Sequence, residues 1–373
     1  MKLYYIANAR IPTDKAHGIQ IAKMCEAFIE AGIDLVLVVP TRKTVATSVQ
    51  DFYHLRIPVK VVRLPVPDLY LHGRLGYRIS SYFFMFEYVL FLWWKKLLGE
   101  KFITYTVDLD NFSSSALALV SGAVFSEMHG GKRNSYAQRV LFKKVRGIIA
   151  INSIIVEELK KTFPFSQANF LVEPNGVDAD DFIPVEKSEA RAKLELSSDS
   201  KIALYTGRFF DWKGLEILAE AAQLTPALEW HIVGGTENDF KQFVKVPLPS
   251  NMHFAGNRPH QEMKWWFGAA DALVVLGTKR DTQSYYYTSP MKLFEYLLSR
   301  RPIVASRTPA IEQIVSSGEV QLYEPDNAAD LAQKVQGAVQ MSDTIEKQTE
   351  RAEAKGKGFS WKSRAARIKE FIA

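Results

Sequence analysis

Leu204-Tyr205-Thr206-Gly207-Arg208-Phe209-Phe210-Asp211-Trp212-Lys213-Gly214-Leu215 begins as an apolar run, breaks at a glycine and leads into a helical pattern. A strand that stops at glycine with a helix behind it is the repeating unit of a parallel sheet with crossover helices. Gly207 allows close approach to the backbone at the strand end, and Asp211 has the chemistry of a helix N-cap. Arg208 and Lys213 put two cations into the same loop. Arg208 can contact phosphate oxygens through two donors at once, while Lys213 supplies a compact charge near the helix start. The loop has the outline of a diphosphate site whose cations would stabilise charge building on a departing group. Taken alone, it would serve equally well as a solvated surface pair.

The same alternation extends outward in both directions. In the first half the strand candidates are Leu3–Ala7, Asp34–Val39, Val59–Leu64, Phe102–Thr106, Ala123–Glu127 and Gly147–Ile151. The second half offers Asn169–Val172, Ile202–Thr206, Glu229–Val233, Met252–Phe254, Ala272–Leu276, Pro302–Ala305 and Gln321–Tyr323. The expectation is an α/β chain of two doubly wound domains, since 373 residues exceed one ordinary core. Glu173-Pro174-Asn175-Gly176-Val177-Asp178 imposes a turn between them. The domains are therefore expected at 1–173 and 174–358, with a final helix at about 359–373 crossing back onto the first. Ligands of open parallel sheets bind beyond the carboxyl ends of the strands, so two such sheets would face each other across a cleft.

Apolar residues at 47% and charged residues at 24% describe an ordinary globular protein and argue against long disordered regions. The single cysteine, Cys25, lies in an apolar helical pattern and reads as a core residue compatible with a reducing cytosol. Lys-Leu-Tyr-Tyr-Ile-Ala, from residue 2, reads as a strand and lacks the layout of a secretory signal. The charge is uneven, with 22 Lys/Arg against 14 Asp/Glu in residues 1–175 and 25 against 27 in residues 176–373. The first half is expected to meet something anionic. Nucleic acid fits poorly, because the aromatics cluster in one apolar stretch instead of interleaving with cations.

That stretch is Tyr82-Phe83-Phe84-Met85-Phe86-Glu87-Tyr88-Val89-Leu90-Phe91-Leu92-Trp93-Trp94. It is too short, and too interrupted by Glu87, for a membrane span. Arg74 and Arg78 precede it and Lys95-Lys96 follow, which suits either a crossover helix buried on the sheet or a helix lying in a membrane interface.

A second anion signal is Thr288-Ser289-Pro290-Met291-Lys292-Leu293-Phe294-Glu295-Tyr296-Leu297, which reads as a helix start with Ser289 as N-cap and Pro290 in the first turn. The backbone amides of Met291 and Lys292 would then face an anion, and Glu295 among apolar neighbours suits the hydroxyl pair of a ribose. In the first half, Lys15-Ala16-His17-Gly18 opens a helix where Gly18 would admit a phosphate or sugar to the backbone. Met128-His129-Gly130-Gly131 ends a strand, and His129 there could bond a sugar hydroxyl. Neither a GxGxxG nor a Walker A sequence is present, which removes the main support for dinucleotide oxidoreductase and P-loop readings. Asp108-Leu109-Asp110 has no accompanying histidine and reads as a capping loop, so no metal site is expected.

Together these segments resemble the glycosyltransferase family 4 enzymes of the GT-B fold, in which two Rossmann-like domains face across a cleft. The likeness runs from His17-Gly18 through Pro174-Asn175-Gly176-Val177-Asp178, Gly207-Arg208 with Lys213-Gly214, Ile232-Val233-Gly234-Gly235 and Ser289 to Glu295, to Pro302-Ile303-Val304-Ala305-Ser306. The resemblance implies that Arg208 and Lys213 hold the donor diphosphate and Glu295 the ribose. It further implies that His129 contacts the transferred sugar and that Ala255-Gly256-Asn257-Arg258 lies beside the base. The family commonly carries a further glutamate eight positions before the ribose-binding one, and here that position is Tyr287.

What the resemblance implies is a retaining, metal-independent transferase. It would move a sugar from a nucleoside-diphosphate sugar to a glycan or lipid-linked acceptor, as a cytoplasmic protein peripheral to the inner face of the membrane. The alternatives are a nucleotide-sugar epimerase on the same fold, or an impaired relative that binds membrane surfaces. The expected catalytic residues are Arg208, Lys213 and His129. Gly18, Gly207, Asn257, Arg258, Tyr287, Ser289, Met291, Lys292 and Glu295 are the expected substrate-binding positions.

Overall fold

The structure is a computed structural model that describes every residue except Met1, Ala46, Tyr70, Leu71 and Ser121. It divides into two compact units, one running to Pro174 and completed by Trp361–Ala373, the other formed by Asn175–Ser360.

The first unit is built on β1 (Lys2–Ile6), β2 (Asp34–Pro40), β3 (Lys60–Leu64), β4 (Phe102–Val107), β5 (Val124–Met128), β6 (Gly147–Ala150) and β7 (Asn169–Val172). They form one parallel sheet in the order β3-β2-β1-β4-β5-β6-β7. Strand order reverses between β1 and β4, so the loops leaving those strands splay apart and open a crevice at their carboxyl ends. The helix Ala16–Glu30 follows β1, and the last helix, Trp361–Ile372, packs on it.

The second unit has β8 (Ile202–Thr206), β9 (Glu229–Val233), β10 (Met252–Gly256), β11 (Ala272–Val275), β12 (Ile303–Ser306) and β13 (Gln321–Tyr323), again all parallel. Their order is β10-β9-β8-β11-β12-β13, which puts the switch point between β8 and β11. The central strands are buried along their whole length, as helices on both faces require of a parallel sheet. One face packs Leu218, Trp230 and Tyr323, and the other packs Phe267, Leu293 and Tyr296. Every sequence-derived strand appears, with ends shifted by two residues at most.

The aromatic stretch lies in a helix over Gly73–Leu97. Ser80, Phe84, Tyr88 and Leu92 are buried on one face, while Leu75, Ile79, Tyr82, Phe83, Phe86, Leu90, Trp93, Trp94 and Leu97 are exposed on the other. Both sequence readings thus describe half of one helix. Among the described residues, no helix is long and apolar enough to cross a membrane.

Candidate functional site

In the second unit the loop leaving β8 sits at the switch point. Gly207 has φ +128° and Gly234, after β9, has φ +126°, both in the region that disfavours side chains. Gly207 N donates to Val233 O at 2.7 Å, and a Cβ on Gly234 would come 2.5 Å from the Gly207 carbonyl. The two glycine turns therefore pack backbone against backbone. No bulkier pair could bring these strand ends so close.

Past Gly207 the chain makes a tight turn over Asp211–Lys213 and leaves it through Gly214, whose φ is +68°. Asp211 does not cap a helix: it lies in that turn, and the next helix, Glu216–Leu224, starts behind Leu215 without a side-chain cap. Lys213 Nζ folds back to donate to the Arg208 carbonyl at 2.7 Å, so one hydrogen bond closes the loop that carries both cations. Burial first, and the Arg208 charge second, bring the Lys213 ammonium down to about 8.

A second ammonium reaches the same place. Lys292 lies on the helix Met291–Leu297, and its Nζ sits 3.7 Å from the centre of the Tyr205 ring. A Cβ on Gly207 would meet Lys292 Nζ at 2.9 Å and Lys213 Nζ at 3.7 Å, so the two ammonium groups flank that glycine. Burial, then the Lys213 charge, lowers the Lys292 pKa well below the lysine range.

The helix start differs from its sequence reading. Pro290, not Ser289, occupies the N-cap, and no side chain caps this end. The Ser289 hydroxyl accepts instead from Asn175 N at 3.1 Å, and its carbonyl accepts from Asn175 Nδ2 at 2.9 Å. Ser289 thus ties the helix start to the first residue of this unit, leaving Met291 and Lys292 as its first two residues. Deeper in the same helix, buried Glu295 meets His260 Nε2 at 2.9 Å. His260 belongs to the short turn behind exposed Asn257 and Arg258, whose guanidinium donates back to Ala255 O at 2.9 Å. Tyr287 ends a wide helical turn over Gln283–Tyr287, its ring tilted at 46° to that of Tyr286 with centres 6.3 Å apart.

In the first unit, His129 follows β5 and its Nε2 lies 2.7 Å from Glu127 Oε1. Glu127 is fully buried and also accepts from Gln20 at 2.8 Å, from the Tyr105 hydroxyl at 2.5 Å and from Arg364 Nη2 at 2.8 Å. Burial alone would raise this carboxyl, but the Arg364 guanidinium and His129 pull it down to about 2. An ionised Glu127 keeps the proton on His129 Nε2 and fixes the ring plane. Nearby His17 is lowered to about 4 by burial and by the Lys15 charge, with His129 contributing. At Gly18 a Cβ would strike Thr13 and the Tyr53 hydroxyl, which accepts from Thr13 N at 2.7 Å, so close packing requires glycine at this position. Asp110 in the Asp108-Leu109-Asp110 loop accepts from the amides of Phe112 and Ser113 at 2.9 and 2.6 Å, and Asp108 pairs with Lys132.

Reading by sequence missed Glu127, Arg364, His260 and the Lys292 side chain. The available signal was a charge inside an apolar run, since a carboxylate in a strand covered on both faces needs partners. It also missed a cluster of metal-type donors, Glu229, His231 and His253, brought together from β9 and β10. There the carboxylate and His231 Nε2 meet at 3.0 Å and satisfy each other, at the start of β9 opposite Ile202.

Residues 200–341 match the family model of Glycosyl transferases group 1. The chain is 26% identical over 221 residues to the putative teichuronic acid biosynthesis glycosyltransferase TuaC of Bacillus subtilis (strain 168), covering 56% of this chain and 53% of that one. It is 25% identical over 209 residues to the D-inositol 3-phosphate glycosyltransferase of Arthrobacter sp. (strain FB24), covering 52% and 48%. The aligned parts span about half the length of these curated relatives. Among solved structures, sucrose-phosphate synthase from Thermosynechococcus elongatus superposes with a TM-score of 0.78 at 18% identity, over 99% of this chain and 98% of that one. Anabaena HepE in complex with UDP and glucose gives a TM-score of 0.70 at 16% identity, over 100% and 99%. These likenesses identify the fold as GT-B.

Proposed function

From the match of residues 200–341 to the glycosyl transferases group 1, we propose a retaining family 4 enzyme that draws on a nucleoside-diphosphate sugar. Its acceptor in this reading is a glycan or a lipid-linked molecule at the cytoplasmic face of a membrane. The observation that carries the proposal is the meeting of Arg208 and Lys213 in one closed loop at a switch point, where two closely packed glycine turns fix the backbone that carries them.

The chemistry follows from charge. When the bond between the anomeric carbon and the phosphate oxygen breaks, the electron pair leaves on that oxygen. Arg208 and Lys213 stabilise the charge as it grows, Lys213 from a half-buried position where its charge counts for more than in water and Arg208 from the exposed rim of the same loop. Side-chain cations then do what a metal would do elsewhere, so the reaction calls for none. Glu295, oriented by His260, accepts from the ribose hydroxyls, and Asn257 and Arg258 border the base. In the first unit His129, held by Glu127, is the candidate partner for a sugar hydroxyl, and in the second Tyr287 occupies the position where the resembled family usually has a carboxylate.

The exposed stripe of the helix over Gly73–Leu97 supports the membrane part of the proposal. Its apolar side chains recur every three to four residues, with Arg74 and Arg78 at one end and Lys95 and Lys96 at the other. The unit that carries it holds 26 Lys/Arg against 15 Asp/Glu, which favours an anionic surface.

The decisive experiment is a panel of nucleotide sugars, incubated with and without acceptor and with and without chelator. The expected result is transfer or donor hydrolysis that survives the chelator and drops at least about 100-fold in Arg208→Ala plus Lys213→Ala. Full activity in that double variant defeats the site. A sugar altered while still attached to its nucleotide would instead point to an epimerase.

A further inference from the structure

Lys292 sits where an apolar side chain would be cheaper. The neighbouring positions Leu293, Phe294 and Leu297 are buried apolar residues, and an ammonium among them forfeits hydration. Its Nζ has the Tyr205 ring on one side at 3.7 Å and the Lys213 ammonium across Gly207 on another. The ring offers only partial compensation for a desolvated cation. The carboxylate on the same helix, Glu295, is drawn toward His260. Two lysine side chains converge on one glycine beside Arg208, and burial with the Lys213 charge outweighs the Glu295 charge, so the full charge on Lys292 is disfavoured until an anion arrives.

We propose that the Lys292 ammonium is a third cation of the donor site, gripping the diphosphate together with Lys213 across Gly207 and setting a preference for diphosphates over monophosphates. The inference rests on the nucleotide-sugar reading above and deepens it. Three cations around Gly207 match the roughly three negative charges that a nucleoside diphosphate carries at neutral pH, whereas a monophosphate leaves one ammonium facing another unpaired. Because Lys292 comes from the loop and helix behind β11 while Arg208 and Lys213 come from the loop behind β8, the anion would also fasten the two lips of the switch point to each other.

The test is calorimetric titration of the whole protein with UDP, UMP and inorganic pyrophosphate, in the wild type, Lys292→Met and Lys292→Arg. Methionine keeps the length and apolar stem of lysine, and circular dichroism with a thermal melt shows that each variant folds. Expected is a loss of about 10- to 100-fold in UDP and pyrophosphate affinity for Lys292→Met, a much smaller change for UMP, and partial recovery in Lys292→Arg. If the wild type binds neither UDP nor pyrophosphate, the nucleotide-sugar reading itself fails. If it binds both and a folded Lys292→Met binds them equally well, the third-cation role is overturned. An equal loss for UDP and UMP overturns the preference.

Discussion

Arg364 Nη2 lies 2.8 Å from Glu127 Oε1, joining the last helix of the chain to the fifth strand through a pair whose side chains are 1% and 0% exposed. The same guanidinium donates to the Pro174 carbonyl at 2.7 Å, and Arg367 next to it forms two bonds with Glu173, at 2.6 and 2.9 Å. Arg364→Ala leaves a buried carboxylate without its counter-charge and is expected to cost about 3–5 kcal/mol in the unfolding of the first unit. Glu127→Leu with Arg364→Leu should regain most of that stability while losing the orientation of His129. Thermal melts read the first effect and transfer assays the second. Folded Glu127 titrates far below the roughly 4.3 of a free glutamate, so its contribution is fully present above that value and is lost as pH falls toward about 2.

Lys213 is charged below about pH 8 and neutral above it, because burial and Arg208 both disfavour the ammonium. A bound diphosphate favours the charged form, so UDP binding takes up protons near that pH and weakens as pH rises through it. Titrations in buffers of different ionisation enthalpy measure the uptake directly. A flat affinity between pH 7 and 9, with no proton exchange, speaks against an anion on this lysine.

Gly234→Ala places a methyl group against the Gly207 carbonyl on a backbone at φ +126°. The strain is about 1–3 kcal/mol, and the backbone that must yield is the one carrying Arg208. Donor affinity is therefore expected to fall more than the melting temperature does. Alanine tolerated with unchanged donor affinity would sink the view that the glycine pair shapes this site.

Phe86→Glu and Trp93→Glu put charges into the exposed stripe of the helix over Gly73–Leu97. Co-sedimentation with vesicles containing anionic lipid should fall at least tenfold for the pair, while Lys95→Ala with Lys96→Ala should give a smaller, salt-dependent loss. Binding indifferent to anionic lipid and to all four changes argues against a membrane face.

How much of this was legible in the sequence depends on distance along the chain. The strands were readable because parallel strands covered on both faces must be apolar throughout, as Ile202–Thr206 and Ile303–Ser306 are. Arg208 and Lys213 were readable because glycine, arginine and lysine fall within seven residues of one loop. The caps were not. Ser289 had the right chemistry for a local role, but its hydroxyl was recruited by Asn175, 114 residues away, and Asp211 stopped in a tight turn. Glu127 and Arg364 stand 237 positions apart, and only folding makes them neighbours. The Lys292 side chain is illegible as a cation of this site in the sequence, because the Tyr205 ring and Gly207 that it meets lie more than eighty positions away.

The last helix also sets an order of assembly. Ribosomes deliver a chain from its amino end, and domains commonly fold as they emerge. Here the strands of the first unit are all synthesised by residue 172, yet Glu127 waits for a counter-charge at 364 that follows the entire second unit. The later-made half can be finished while the earlier-made half still holds an unneutralised carboxylate in its core. Nascent chains stopped before residue 361 should therefore protect the second unit from protease and leave the first open to it.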